Sequence, residues 1–166
     1  MDIEILVDGE GLADVEVVPL PAGRPGIELI EVIAKRAGYP AAEALLFIED
    51  EDEPLDIAAI VIGEEMAGRV HHVHRAREIK VTVNYQNPPK HKEFPPSARM
   101  QRVLDWATGP HGFKIDPALA PEMELALHGT QTALPKSAHI GRYAHGHEHK
   151  LDLDLIRGVV PNGGVR

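Results

Sequence analysis

The sequence has 166 residues, a formal net charge of −9 and no cysteine, which excludes disulfides, a thiol nucleophile and cysteine-ligated zinc. Hydrophobic residues make up 43% of it but aromatic ones only 4%, so its core must be built from Val, Ile, Leu and Ala. The charge is uneven: residues 1–77 carry seventeen acids against six Lys or Arg, and residues 78–166 nine against eleven. Such a shift argues for two units with different surfaces, the first too acidic to bind phosphate backbones. No run reaches about eighteen apolar residues, and the N-terminal Met1-Asp2-Ile3-Glu4 is acidic. The expectation is a cytoplasmic protein with neither a membrane nor a nucleic-acid partner.

Taken in order, Ile3 to Val7 reads as a strand ending at the turn signal Asp8-Gly9. Val15 to Leu20 reads as its hairpin partner, stopped by Pro19 and Pro21. Ile27, Leu29, Ile30, Ile33 and Ala37 recur at helical spacing, and Gly38 closes that helix. Leu45 to Ile48 is a buried strand, followed by an acidic turn from Glu49 to Pro54 that is expected to be solvated. A short apolar stretch from Ile57 to Ile62 ends at Gly63, and Arg69 to His74 is the last strand of this half.

From residue 78 the same order begins again. Ile79, Val81 and Val83 alternate with polar residues, and His91 to Pro95 is a weak second strand. Ala98 to Ala107 is a helix expected to be N-capped by Ser97, with Trp106 facing the core. Met123 to Leu127 is a strand, followed by Leu134-Pro135 and Ile140-Gly141. The two Ile-Gly pairs lie seventy-eight residues apart, and the opening strands seventy-six. A repeat of this length implies two copies of one small α+β domain, at 1–76 and 78–158, joined by a very short linker.

Leu151, Leu153 and Leu155 alternate with Asp152 and Asp154 in a terminal strand. Gly158, Pro161, Gly163 and Gly164 then oppose further pairing, so residues 159–166 read as a flexible tail. Two strand–strand–helix–strand–strand units with a Gly-Gly tail resemble tandem ubiquitin-like β-grasp proteins. More narrowly, the chain resembles the bacterial two-domain ubiquitin-like modifiers of antiphage operons, which are likened to the interferon-induced two-domain ubiquitin-like modifier.

That resemblance implies a protein modifier conjugated through Gly164, with Gly163 beside it, and a processing site at Gly164-Val165-Arg166 where a protease removes the last two residues. It implies an ATP-dependent activating enzyme, a conjugating enzyme, a processing and deconjugating protease, and lysines on target proteins as partners. In place of the alternating arginines and leucines of ubiquitin's tail stand Val159-Val160-Pro161-Asn162, with Arg157 the only basic residue in the tail before the glycines. A tandem docking module that is never conjugated is the alternative. A sulfur carrier is a third class, disfavoured by the repeat and by the two residues after Gly164.

Other constellations carry less. His71, His72 and His74, and the run His145-Gly146-His147-Glu148-His149, invite a metal reading, but without a carboxylate set at ligand spacing they are expected to be solvated. Ser97 and Ser137 are not in a nucleophile context, and phosphate-loop and dinucleotide fingerprints are absent from the sequence. The expectation is no catalytic residue, no metal and no cofactor.

Overall fold

The computed structural model describes residues 1–145 and 149–158. In the first half, β1 (Asp2–Gly9) and β2 (Glu16–Pro21) form an antiparallel hairpin. Helix α1 (Ile27–Ala37) follows, then β3 (Leu45–Ile48) and β4 (Val70–His74). The sheet order is β2-β1-β4-β3, with β4 parallel to β1. In the second half, β5 (Ile79–Asn84), β6 (Lys90–Phe94), α2 (Met100–Thr108), β7 (Met123–Leu127) and β8 (Lys150–Arg157) repeat the arrangement as β6-β5-β8-β7. Each half is a four-stranded mixed sheet wrapped on one helix, so the chain has the α+β, tandem β-grasp fold.

The repeat extends to individual backbone hydrogen bonds. Gly26 N–H donates to Ile60 C=O at 2.8 Å, and Met100 N–H to Ala138 C=O at 2.8 Å. Ile62 bonds back to Arg24, and Ile140 to Ala98. Leu55 N–H reaches the carbonyl of Leu46 as Leu134 N–H reaches that of Leu125, each at 2.8 Å. These bonds pin the loop after each third strand across the helix entry, which is why Ile62 and Ile140 both become core residues.

Two separate cores result. Ile3, Ile5, Val7, Leu29, Ile30, Ile33, Leu46 and Val73 fill the first. Ile79, Val81, Val83, Val103, Leu104, Leu125, Leu151, Leu153 and Leu155 fill the second. The period-two spacing of Leu151, Leu153 and Leu155 puts all three on the core side, as alternation requires. Trp106 packs on this core from its edge, with its ring 5.8 Å from Phe94, and is only half-buried.

Three local expectations are corrected. Pro19 and Pro21 do not stop β2 but lie within it, opposite Glu4 and Asp2. They are tolerated because β2 is an edge strand with one side free of ladder bonds. Helix α2 begins at Met100 rather than Ala98, and Ser97 does not cap it. The Ser97 hydroxyl donates instead to the carbonyl of Glu51 in the first half, at 3.2 Å.

Candidate functional site

The residues named for conjugation and processing, Gly163, Gly164, Val165 and Arg166, lie outside the described residues. The structure does define the base from which that segment leaves. Strand β8 runs parallel to β5, with Lys150 opposite Lys80 near the linker and Asp154 opposite Asn84 at the far end. The chain therefore reaches Gly158 at the end of the second sheet remote from the linker. There the Gly158 N–H donates to the Glu122 carbonyl at 2.6 Å. The Arg157 guanidinium holds the Glu122 carboxylate at 2.8 and 3.1 Å. The last base before the glycines is thus already paired.

On the wet face further back along β8, His128 Nδ1 lies 2.7 Å from Asp154, whose second oxygen accepts from Gly129 N–H at 2.9 Å. Asn84 donates to Asp152 at 2.6 Å and to the Leu153 carbonyl. His128 is therefore the imidazole that pairs with Asp154.

The chemically densest region is the junction between the domains, and here the solvated expectation is overturned for His71, His72 and His74; in the other run His145 is exposed as expected, and His147 lies outside the described residues. His71, His72 and His74 are buried, His72 and His74 completely. Alternation puts Val73 in the first core and turns His72 and His74 to the opposite face of the sheet. Asp8, His72 and Phe47 are cross-strand partners in a row on that face, and all three are fully buried. The second domain covers them.

Asp8 receives the Arg142 guanidinium in bidentate fashion, at 3.0 and 2.9 Å. It also accepts from Gly9 N–H at 2.8 Å and from His139 N–H at 3.2 Å. His72 Nδ1 lies 3.0 Å from His139 Nδ1, and His139 Nε2 lies 2.8 Å from the Glu49 carboxylate. His74 Nε2 faces the carbonyls of Ala144 and Gly141 at 2.8 and 3.1 Å, while its Nδ1 accepts from Ala76 N–H at 2.8 Å.

These partners set the tautomers. His74 carries its proton on Nε2, because Nδ1 must accept. His139 also carries its proton on Nε2, facing a carboxylate, so its Nδ1 accepts and His72 must donate from Nδ1. Among the described residues, His72 Nε2 then has no hydrogen-bond partner and is a buried lone pair. Burial holds His72 well below the ordinary histidine range, and the nearby His139, His74 and Arg142 push the same way. Burial also lowers His74, partly offset by the Ala144 and Gly141 carbonyls and by Glu10.

Asp8, His72 and His139 offer ligand atoms within 4.8 Å of one another, a spacing that a metal ion could bridge. The Asp8 oxygens and both ring nitrogens of His139 are committed elsewhere, which leaves only His72 Nε2 free to ligate. Asp8 accepts four hydrogen bonds and is neutralised by Arg142, and His139 Nδ1 accepts from His72. The donor chemistry therefore fits a closed hydrogen-bond network better than a metal centre.

The turn from Glu49 to Glu53 is solvated as expected at Glu51, Asp52 and Glu53, and it also forms the other half of the junction. Asp50 binds Arg99 through its backbone N–H at 2.9 Å and its Nε at 2.5 Å. Arg102 donates to the Asp50 carbonyl at 2.8 Å and to Asp52 at 2.7 Å. The acidic first domain thus meets bases of the second domain along this edge. At the linker, Arg75 clamps Glu10 and lies 4.8 Å above the Tyr39 ring, and Ala76 is fully buried.

Among the described residues no helix is long and apolar enough to cross a membrane. Residues 80–158 match the family model described as BilA ubiquitin-like domain 2. No curated protein sequence matches the chain.

Proposed function

We propose, from the premise that the second domain is a ubiquitin-like domain of the BilA family, that the chain is a protein modifier whose C-terminal carboxylate is joined to amines on target proteins. A protease removes Val165 and Arg166 to leave Gly164 terminal. The Gly164 carboxylate attacks the α-phosphorus of ATP on an activating enzyme, releasing pyrophosphate. A cysteine thiol then displaces AMP to form a thioester, and a target lysine amine displaces the thiol to form the isopeptide bond. The modifier contributes no catalytic side chain, and ATP belongs to the activating enzyme. The reaction takes place in the cytoplasm, as part of antiphage defence.

The observation that carries this reading is the direction of β8. It delivers the chain to Gly158 at the end of the second sheet remote from the linker. From there, the six residues to Gly164 reach about 20 Å if extended, at ~3.3 Å per residue. Glycines at 163 and 164 present no Cβ to the walls of a narrow enzyme cleft.

The docking-module alternative needs a free sheet face. In the first domain much of that face, at Asp8, Phe47, His72 and His74, is buried against the second domain.

The test is co-expression with the activating and conjugating enzymes and a target. Higher-mass conjugates are expected that disappear in a Gly164→Glu variant. Conjugates persisting in that variant, or none forming with active enzymes, would sink the modifier reading.

A further inference from the structure

A junction lined by carboxylates, guanidinia and neutral imidazoles is an unusual way to hold two domains together, because its stability depends on which protons are present. We propose that the contact between the two domains is a proton-sensitive latch: uptake of protons by His72 and His74 opens the pair and uncovers the sheet face of the first domain that carries Phe47. This inference does not depend on whether the tail is conjugated.

The geometry leaves no place for an added proton. His72 already donates from Nδ1 to His139, and its Nε2 is closed off against Gly141, where even a Cβ would collide with it. Glu49 after β3 stands beyond His139, while Asp8 from β1 and His74 on its own strand flank His72. His139 and Arg142 face it from the second domain.

The two nearby carboxylates cannot easily compensate a new charge. Asp8 is held by Arg142, and Glu49 is held by His139. His74 is boxed in the same way. Its Nδ1 accepts from Ala76, and a proton there would face that N–H donor. Glu10, 3.9 Å away, is engaged by Arg75, and His149 adds a further unfavourable field.

The sign follows from linkage. In the closed pair both imidazoles have lowered proton affinity. Once open to water they return to about pH 6.5. Below that pH the open form binds more protons than the closed one, so closure is at full strength above it and weakens as pH falls. Each histidine contributes up to about tenfold per pH unit to the opening equilibrium, and the two together up to about a hundredfold.

Opening would release the cross-domain bonds of Ser97, Arg99, Arg102, His139 and Arg142 together. Each domain keeps its own core, because the two apolar clusters are separate. The face so uncovered joins Phe47 to a row of polar groups on β1 and β4, which is a surface the closed pair does not offer.

The chain has no cysteine, so Lys35→Cys on α1 and Lys114→Cys in the second domain can carry a unique spin-label pair. One narrow distance is expected at pH 7.5, broadening below about pH 6 while amide protection in β1 and β5 persists. His72→Phe keeps a ring of similar size and removes one titrating group, so the steepness should drop from up to about a hundredfold to up to about tenfold per pH unit. Imidazole nitrogen spectra of the unsubstituted chain supply a reading that does not depend on any variant folding. His74 should be protonated on Nε2 and His72 on Nδ1 at pH 7.5, and both should stay neutral until the distance changes. A constant distance down to pH 4.5, ordinary titration of His72 and His74 in a closed pair, or loss of β1 and β5 protection at the same pH as opening would overturn the latch.

Discussion

Asp8 and Arg142 lie 134 positions apart and meet in a bidentate ion pair at 3.0 and 2.9 Å, with Asp8 wholly out of water. A buried pair of this kind gives little net stability over an apolar substitute, but breaking it strands a charge. Asp8→Ala or Arg142→Ala should each cost about 3–5 kcal/mol. The double variant should cost clearly less than the sum, since neither charge is then left alone. Urea unfolding of the four proteins measures this. Additive losses would mean that the two side chains do not depend on each other.

Gly141 is a second point where the junction is intolerant. Its backbone lies outside the left-handed region, so the constraint is space. An added Cβ would come within 2.8 Å of His74 Cδ2 and Pro96 Cβ and collide with the His72 ring. Gly141→Ala should therefore destabilise by about 1–3 kcal/mol, the usual range for overpacking. Gly68→Ala is the matched control, because a Cβ there meets nothing within 4 Å. It should be neutral or stabilise by up to about 1 kcal/mol through the unfolded chain. Equal thermal midpoints for the two variants would contradict the packing described at Gly141.

On the exposed face, the Asp154 hydrogen bond raises His128 above its ordinary range, with Asp152 adding to it. Burial opposes the shift at Asp154, yet His128 and the Gly129 N–H lower it overall. The support from a raised histidine is present below about pH 6.5 and fades as pH climbs through the raised value. The support from a lowered carboxylate fades as pH falls through its depressed value. In a proton NMR titration His128 should turn over above pH 6.5 and return toward it in Asp154→Asn. A normal midpoint in the unsubstituted chain would show that the pair does not form.

Much of the fold is legible in the residues because each unit carries its own periodicity. Leu151, Leu153 and Leu155 alternate with aspartates, α1 has a 3.6-residue stripe closed by Gly38, and Ile-Gly recurs in both halves. The junction is not legible in this way. His72 and His74 are polar and alternate with Val73, the same pattern as a strand with one wet face. Only a second domain, folded separately and docked on that face, buries them. The ion pairs of the Glu49–Glu53 turn are no more legible, since Arg99 and Arg102 that meet it are about fifty residues away. Pro19 and Pro21 mislead because a local rule about ladder donors cannot tell an edge strand from a central one.

The most direct test of conjugation through Gly164 follows from where trypsin cuts. Arg157 is the last base before the glycines. A conjugated lysine should therefore retain the remnant Gly158-Val159-Val160-Pro161-Asn162-Gly163-Gly164 on its ε-amine after digestion. Mass spectrometry of conjugates formed with the activating and conjugating enzymes should find that remnant, ending at Gly164. Conjugates whose remnant ends at another residue, or digests of enzyme-treated protein in which no lysine carries it, would contradict the account.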